Sequence, residues 1–304
     1  MEHTWFEIGK KIAALDLWEK LVDCNWAVKP SGSVFPYFCL VVKGENNPVR
    51  GRLLMLPGWK TMGDFVCAKH DLNYSFYSQP MEFPRLELIA LADGTLKLFR
   101  YETGYMPYDA PERDHVLAAK ILWEAYGVML RLESDENLTI KYAADNAVFA
   151  RVESKNGEWE DAPLTIPMPR PHIEEVSLQK KLLAQAKELP FRKEAKIDVD
   201  FRMLIGVMTK EPKPRTVYAL LMDDPDAKKR LVHSRTSVNP EGGLKLMWET
   251  IPSQVVREMI TLGYVPGEMR CLTQRMFRLL RPICLELPIK LSLHDALPTI
   301  GLPG

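Results

Sequence analysis

The fold is decided by the stretch from Arg215 to Lys290, which reads RTVYALLMDDPDAKKRLVHSRTSVNPEGGLKLMWETIPSQVVREMITLGYVPGEMRCLTQRMFRLLRPICLELPIK. β-type and helical runs follow one another along it. The β-type runs are 216–222, 230–238 and 268–272, and the helical runs are 244–262 and 274–286. Two strands followed by alternating helix and strand are typical of an α/β layer domain. We therefore predict an α/β or α+β fold, with mixed sheets flanked by helices.

The length of the chain predicts two domains. At 304 residues it exceeds the size at which a single hydrophobic core stops growing. The segment Met168-Pro169-Arg170-Pro171 can continue neither a helix nor a central strand, which marks it as a semi-rigid connector. We predict an N-terminal α/β domain at 1–170, ending in a β-hairpin region, and a C-terminal α/β domain at 171–304.

Outside the opening stretch, helical periodicity alternates with hairpin signals. We predict helices at 5–21, 59–68 and 111–132, and hairpins at 37–56 and 86–101, the second turning at Asp93-Gly94. Strand-like runs follow at 138–144, 147–153 and 162–167, and they can pack with either half. After the connector we predict a helix at 173–189 and a strand at 198–208.

Composition is that of an ordinary globular protein and disfavours several classes of partner. The 40 Lys and Arg residues balance the 40 Asp and Glu residues, so the net charge indicates neither nucleic acid nor an anionic membrane. No run approaches the roughly 18 apolar residues of a membrane span. The N-terminus lacks a basic region before an apolar run, so we expect no signal peptide and a cytoplasmic location. The five cysteines are odd in number and widely spaced, which disfavours disulfides and zinc ribbons.

A short segment near the end of the chain has an unusual sequence. Residues 291–298, LSLHDALP, resemble the translation of a common DNA-sequencing adapter. We therefore expect residues from about 291 to be non-native and the C-terminal domain to be truncated.

Two stretches resemble known families. Gly104-Tyr105-Met106-Pro107-Tyr108, followed by a long helix, is similar to a Pro-Gly-Tyr-x-Pro-Trp element before an acidic helix. That element belongs to a bacterial family, the domain of unknown function numbered 7309. The stretch from Pro214-Arg215-Thr216 through Trp248 to Pro266-Gly267-Glu268-Met269 resembles the domain of unknown function numbered 6930. The resemblance implies a bacterial protein with the first domain in its N-terminal half and the second in its C-terminal half. It implies no active site.

The sequence lacks the motifs of common enzyme classes. It contains no G-x-x-x-x-G-K-[ST], G-x-G-x-x-G, H-E-x-x-H or G-x-S-x-G pattern, so nucleotide-binding loops, zinc proteases and serine hydrolases are not indicated. The six histidines are scattered, and a carboxylate adjacent in sequence points elsewhere in a helix or strand. We therefore predict no catalytic residue, no metal site and no cofactor, and lean against an enzyme.

The order of elements in the C-terminal half resembles that of ribonuclease H-like nucleases. These enzymes hold two metal ions with carboxylates from the first strand, the first helix and the fourth strand, because in-line phosphoryl displacement needs both oxygens stabilised. The corresponding acids are Asp198 and Asp200, Glu249 and Glu268. The core of the first strand has no carboxylate. The alternative function is therefore a metal-dependent phosphodiester- or nucleotide-acting protein on a degenerate scaffold of this type.

The leading hypothesis is a non-enzymatic interaction or regulatory module with a protein partner. Tyr264 and Arg270 are the candidate binding residues, because aromatic residues and arginine dominate interface hot spots. Asp223, Asp224 and Asp226 are predicted to serve the turn around Pro225, since aspartate bonds its own backbone. Four of the seven tryptophans fall in helical segments and are expected in the core: Trp5, Trp18, Trp123 and Trp248. Trp59 and Trp159 are expected at the surface.

Overall fold

A computed structural model of the chain describes most of its residues. The described residues are 4–22, 25–44, 48–69, 83–139, 147–165, 176, 178–210, 213–237, 243–297 and 299–300. They divide into two compact units, the first within 1–66, 83–102 and 107–171 and the second within 67–82, 103–106 and 172–304. Both units combine helices with a mixed sheet, which confirms the α/β class.

An eight-stranded sheet is the framework of the first unit. Its strands are β1 (Asn25–Lys29), β2 (Tyr37–Lys43), β3 (Val49–Pro57), β4 (Arg85–Leu91), β5 (Leu96–Tyr101), β6 (Tyr108–Asp109), β7 (Ala147–Glu153) and β8 (Trp159–Thr165). The order across the sheet is β6-β5-β4-β3-β2-β1-β7-β8, and the pairs are antiparallel except β1 with β7, which is parallel. The β7–β8 hairpin therefore belongs to the first unit.

Two helices, α1 (Trp5–Leu15) and α3 (Glu112–Ser134), pack together over one face of this sheet. α1 begins with a capping box, in which the Thr4 hydroxyl accepts from the Glu7 amide and the Glu7 carboxylate accepts from the Thr4 amide. It ends at Asp16, whose backbone is left-handed with φ of 51°. The helix is therefore shorter than the predicted 5–21, although the apolar periodicity continues beyond it.

Side chains pack on both faces of the first sheet. The core under α1 and α3 includes Ile8, Ile12, Trp26, Leu53, Leu88, Ala118, Ile121, Leu122 and Phe149. On the other face the Phe38 ring lies 4.7 Å from the ring of Trp59 in α2 (Gly58–Lys69). Trp18 lies directly on Gly51 of β3, where any side chain at residue 51 would collide with the indole. The residues after α1 are thus held by packing.

A five-stranded sheet is the framework of the second unit. Its strands are β9 (Phe191–Met208), β10 (Thr216–Asp224), β11 (Lys229–Ser237), β12 (Val265–Cys271) and β13 (Lys290–Leu293). The order is β11-β10-β9-β12-β13. The first three strands pair antiparallel, whereas β12 is parallel to β9 and β13 is parallel to β12. The central strand β9 is 18 residues long.

Three helices cover one face of the second sheet: α4 (Lys180–Lys187), α5 (Gly243–Leu262) and α6 (Gln274–Glu286). α6 begins after Thr273, whose hydroxyl accepts from the Met276 amide. Alternate residues of β9, including Val199 and Phe201, point into the core beneath the helices. Because side chains alternate along a strand, the intervening residues of β9 point to the opposite face.

Several predicted elements agree with the structure and others differ. α6 has the predicted bounds, and the hairpin at Asp93-Gly94 forms with Gly94 at φ of 83°. β9 begins earlier than predicted, and β1 was not predicted. Residues 140–146 and 173–175 lie outside the described residues, so the structure does not test the predictions for them. No helix in the described ranges is long and apolar enough to cross a membrane.

Candidate functional site

The two predicted binding residues lie at opposite ends and on opposite faces of β12. Tyr264 is 9% exposed and belongs to the core beneath the helices, with the Arg192 guanidinium 4.4 Å from its ring centroid. Burial raises the pKa of Tyr264, with a smaller contribution from Asp224. Arg270 follows six positions later, roughly 20 Å along an extended chain, and donates to Asp198. The structure therefore does not bring Tyr264 and Arg270 into one site.

The face of the second sheet opposite the helices carries paired charges, and we call it the charged face. It consists of Asp198, Asp200 and Asp223 with Arg202, Arg230 and Arg270. The carboxylates are 0%, 6% and 1% exposed, respectively. Asp198 lies opposite Asp223 across β9 and β10, and opposite Arg270 across β9 and β12. Like charges directly opposite one another destabilise a sheet unless counter-charges intervene, so each carboxylate needs its arginine.

Each arginine is committed to one carboxylate. Arg270 Nε donates to Asp198 Oδ1 at 2.6 Å, and Arg230 donates through Nε and Nη2 to the two oxygens of Asp223 at 2.7 and 3.0 Å. Hydrogen bonds to Asp198 and Asp223, respectively, are the main reason that the pKa values of Arg270 and Arg230 are raised.

The pair formed by Asp200 and Arg202 is looser than the other two. Arg202 Nε lies 3.3 Å from Asp200 Oδ2, and Asp200 Oδ1 accepts from the Phe201 amide. Burial raises the pKa of Asp200, and the charge of Arg202 only partly opposes that effect.

Residues predicted to be non-native supply part of the cover on this face. Leu297 and Ile300 pack against Ala219 and Leu221, and the Thr299 hydroxyl donates to Asp198 Oδ2 at 2.9 Å. The arginine partners of the carboxylates come from β9, β11 and β12. Each carboxylate therefore has an arginine from outside the final segment, although Arg230 and Arg202 also donate to the carbonyl oxygens of Thr299 and Ile300.

The four acids of the nuclease hypothesis do not converge. Asp198 and Asp200 point to the charged face, whereas Glu249 lies on α5, which packs on the opposite face. Glu268 accepts from the Ser292 hydroxyl at 2.8 Å and lies 3.4 Å from Lys290 Nζ. Within the described part of the chain, no group of three or more His, Cys, Asp or Glu side chains is placed to hold a metal ion.

The three aspartates around Pro225 have different roles. Asp224 Oδ1 accepts from the amides of Asp226 and Ala227, which is the predicted turn chemistry. Asp223 instead belongs to β10 and is buried against Arg230. The prediction was wrong for Asp223, because its strand position turns the carboxylate onto the charged face and away from its own backbone.

A deep cleft lies in the first unit, and we call it the tryptophan cleft. Its volume is about 590 Å³. It is lined by Thr4, Trp5, Ile8, His115, Val116, Ala119, Lys120, Trp123, Glu124, Glu153 and Trp159. Ligand pockets typically have volumes of ≈ 300–1,000 Å³, apolar and aromatic walls, and a few convergent polar groups. The cleft has all of these properties.

Three separate parts of the first unit build the walls of the cleft. The N-terminus of α1 supplies Trp5, fixed by the capping box at Thr4. α3 supplies Trp123 and His115, and the end of β7 and start of β8 supply Glu153 and Trp159. The Trp5 and His115 rings lie 5.8 Å apart, and His115 Nε2 is 2.9 Å from the Ala110 carbonyl oxygen. The histidine is thereby held as a wall residue.

Two carboxylates, Glu124 and Glu153, lie in the cleft with side chains that are each 9% exposed. Glu124 Oε2 accepts from Arg151 Nε at 2.8 Å. Glu153 Oε2 accepts from the Ser31 amide at 2.8 Å, and its Oε1 is 3.5 Å from Lys120 Nζ. Burial opposes ionisation of Glu153, but the Ser31 and Lys120 contacts outweigh it and lower the pKa. Glu153 is therefore a carboxylate anion at neutral pH.

The outer wall of the cleft is exposed apolar surface on α3. Val116 is 70% exposed and Trp123 is 40% exposed. The Lys11 ammonium lies 5.0 Å from the Trp123 ring centroid. The expectation that Trp123 is a core residue was wrong, whereas Trp18 and Trp248 are 2% and 3% exposed, as expected. A helix of 23 residues with one buried stripe leaves other positions on its outer side, and Trp123 lies there.

The fold and these two regions define a class: a two-sheet α/β protein with one charge-paired face and one aromatic cleft. A family model described as a domain of unknown function (DUF6930) matches residues 182–301. The second unit of the chain is thus similar to that family from α4 onward. No curated protein and no solved structure matches the chain.

Proposed function

We propose that the protein is a non-enzymatic interaction module of the cytoplasm, and that it takes a small ligand or one side chain of a partner into the tryptophan cleft. The observation that carries the proposal is the cleft itself. It encloses about 590 Å³ between walls that include Trp5, Trp123 and Trp159. Aromatic rings supply much contact area and lose little conformational freedom on binding, which is why they are enriched in binding sites.

The polar groups of the cleft support binding rather than proton transfer. A general acid or base needs a pKa near the working pH, whereas the pKa of Glu153 is lowered. His115 Nε2 lies 2.9 Å from the Ala110 carbonyl oxygen, so this nitrogen is engaged with the backbone. Fixed charges and aromatic walls are properties of a site that binds a ligand without transforming it.

A thermal-shift screen of small organic molecules and short peptides tests the proposal. Compounds that raise the unfolding temperature of the wild-type protein are measured again on Trp123→Ala and Leu130→Ala. The two side chains are matched, since both lie on α3 and are 40% and 39% exposed, but Leu130 is not part of the cleft. We expect the Trp123→Ala change to weaken binding by about tenfold or more and the Leu130→Ala change to leave it intact.

Two results would contradict the proposal. One is a screen without any compound that binds the wild-type protein. The other is a set of compounds that bind Trp123→Ala as tightly as the wild type, which would place their site elsewhere.

We also propose a ribonuclease H-like topology for the second unit and the domain of unknown function numbered 7309 for the first, in a two-domain bacterial protein. The topology proposal is supported by the strand order β11-β10-β9-β12-β13, in which three antiparallel strands are followed by two parallel strands reached through helices. We do not extend it to phosphodiester chemistry, because Asp198 is bound by Arg270 and Glu249 lies on the opposite side of the sheet.

A further inference from the structure

The carboxylates of the tryptophan cleft are incompletely neutralised by the protein. Arg151 is divided between two partners: Nε donates to Glu124 and Nη1 donates to Asp161, both at 2.8 Å. The hydrogen bond from Arg151 goes to Oε2 of Glu124, and the Glu124 side chain also lines the cleft. A carboxylate that is nine-tenths buried stabilises any donor that reaches its second oxygen, because the surrounding medium screens charge weakly.

Lysines of the protein already occupy the kinds of position that a cationic ligand would take. Lys120 Nζ reaches Glu153 at 3.5 Å, although the lysine side chain is 48% exposed. Lys11 Nζ lies over the Trp123 ring at 5.0 Å. Both ammonium groups end long, flexible side chains, so a ligand can displace them. Their positions identify the groups of the cleft that attract cations.

The aromatic walls favour a cation with an apolar body. Ammonium groups are attracted to the faces of tryptophan rings, and the attraction is stronger when water is excluded. Trp5 and Trp159 line the cleft beside Glu153, and Trp123 lines it beside Glu124. Among the lining residues, two glutamates face one lysine. Two carboxylates at the wall of the cleft disfavour an anionic ligand and attract a cationic one.

We infer that the tryptophan cleft binds an organic cation, an ammonium group carried on a short apolar body, with Glu124 as its anionic partner. The inference rests on the proposed function and names the ligand chemistry of the same site. A free amine and the lysine side chain of a peptide share this chemistry. The cation enters between the tryptophan rings and supplies the second hydrogen-bond or charge contact of Glu124.

The direct test compares cationic probes with neutral counterparts. Choline and 3,3-dimethylbutan-1-ol have the same shape, with a quaternary nitrogen replaced by carbon. Nα-acetyl-lysine N-methylamide and its norleucine counterpart form a second pair, carried on a peptide backbone. Binding to the wild-type protein is measured by ligand-detected NMR titration. We expect the cation of at least one pair to bind about tenfold more tightly than its neutral partner. The pair that shows the difference identifies a free quaternary amine or a lysine side chain as the source.

Two variants that are expected to change cation binding in opposite directions make the test sharper. Glu124→Gln should reduce the preference for the cation about tenfold, whereas Glu133→Gln, on the same helix but outside the cleft, should leave it unchanged. Lys120→Gln removes the competing ammonium and should tighten cation binding severalfold. A purely apolar cleft would respond to neither change. Unfolding temperatures confirm that each variant is folded.

The outcomes separate failure of the inference from failure of the proposed function. Equal binding of a cation and its neutral partner, lost in Trp123→Ala, overturns the inference and retains the cleft as a binding site. Absence of binding by all four probes also overturns the inference. The proposed function fails with it only when the thermal-shift screen yields no ligand that depends on Trp123.

Discussion

The charged face of the second unit and the tryptophan cleft of the first both place carboxylates in nearly buried positions, but they satisfy them differently. On the charged face, Asp198 and Asp223 each have an arginine at 2.6 to 3.0 Å. In the cleft, Glu124 shares its arginine with another carboxylate, and Glu153 has the Ser31 amide at 2.8 Å and a lysine at 3.5 Å. The first arrangement is closed and the second leaves capacity for one more cation.

The difference in how the carboxylates are paired distinguishes a structural role from a binding role, although both regions contain the same types of residue. Charged residues and high burial occur in both regions, so neither property alone identifies a site. What distinguishes the cleft is a cavity of about 590 Å³ beside a carboxylate whose arginine also donates to a second carboxylate. A buried charge that is fully paired contributes to the fold, whereas a partly paired one beside a cavity retains affinity for a ligand.

The largest expected effect is a loss of stability when a charge pair of the charged face is broken. Arg270→Met leaves Asp198, which is 0% exposed, without its guanidinium partner. We expect a loss of about 3–5 kcal/mol in the stability of the second unit, the usual result of removing one member of a buried pair. Hydrogen exchange of the β9 amides under native conditions measures the loss.

Arg235→Met is the matched control for Arg270→Met. Arg235 is an exposed residue of β11, and its Nε lies 3.5 Å from His233 Nε2. We expect its replacement to change stability by less than about 0.5 kcal/mol. Equal effects of the two substitutions would show that the Asp198–Arg270 pair does not stabilise the sheet.

A smaller effect of opposite sign is expected at Asp200. The raised pKa means that ionised Asp200 is disfavoured in the folded protein, so the penalty is present above the folded pKa and disappears below the unfolded pKa. Asp200→Asn retains an oxygen for the Phe201 amide and removes the charge. We expect a gain on the order of 1 kcal/mol at pH 7 that vanishes on acidification, measured by denaturant unfolding. Destabilisation at pH 7 would indicate that the attraction to Arg202 dominates.

The smallest effect is expected behind the tryptophan cleft, at Asp161. Its pKa is lowered, chiefly by the hydrogen bond from Arg131 and with a contribution from Arg151. The contribution to stability is therefore present above the unfolded pKa and is lost as the pH falls through the folded value. Asp161→Asn should lower stability by less than about 1 kcal/mol at pH 7, and the two proteins should converge below about pH 3. A difference that persists in acid would contradict the assignment, and melting curves measure it.

Local signals in the sequence predicted much of the fold. α6 has the predicted bounds because the cap at Thr273 and the apolar periodicity agree. The hairpin β4–β5 formed where Asp93-Gly94 separates two apolar runs. β1 was not predicted, and it lies in the sheet between β2 and β7, the latter more than 100 residues away. α1 was predicted to be too long because Trp18 remains buried after the helix has ended at Asp16.

The tryptophan cleft could not be predicted because it is a property of three elements brought together. Trp5, Trp123 and Trp159 lie in α1, α3 and β8. None of these segments carries a sequence motif that would indicate that the three lie close together. Tyr264 and Arg270 were chosen for residue type within one strand-and-loop segment. Tyr264 precedes β12 and packs in the core, whereas Arg270 lies beyond the register shift between Pro266 and Glu268 and points to the charged face. Regular alternation would have placed residues six positions apart on the same face. Residue type indicates chemistry, but only tertiary packing determines which groups share a cavity.

Two of the three parallel strand pairs in the described residues, β1 with β7 and β9 with β12, have a consequence for synthesis of the chain. At 5–20 residues per second, β1 waits on the order of ten seconds for β7, which pairs with it at Ala27 and Ala150. β9 waits a few seconds for β12. Each of these strands lies in the interior of the finished sheet. Until its partner has been synthesised it is an exposed edge strand, able to pair with another nascent chain. Close spacing of ribosomes on the messenger would therefore favour aggregation, and cover by a chaperone at this stage would favour folding.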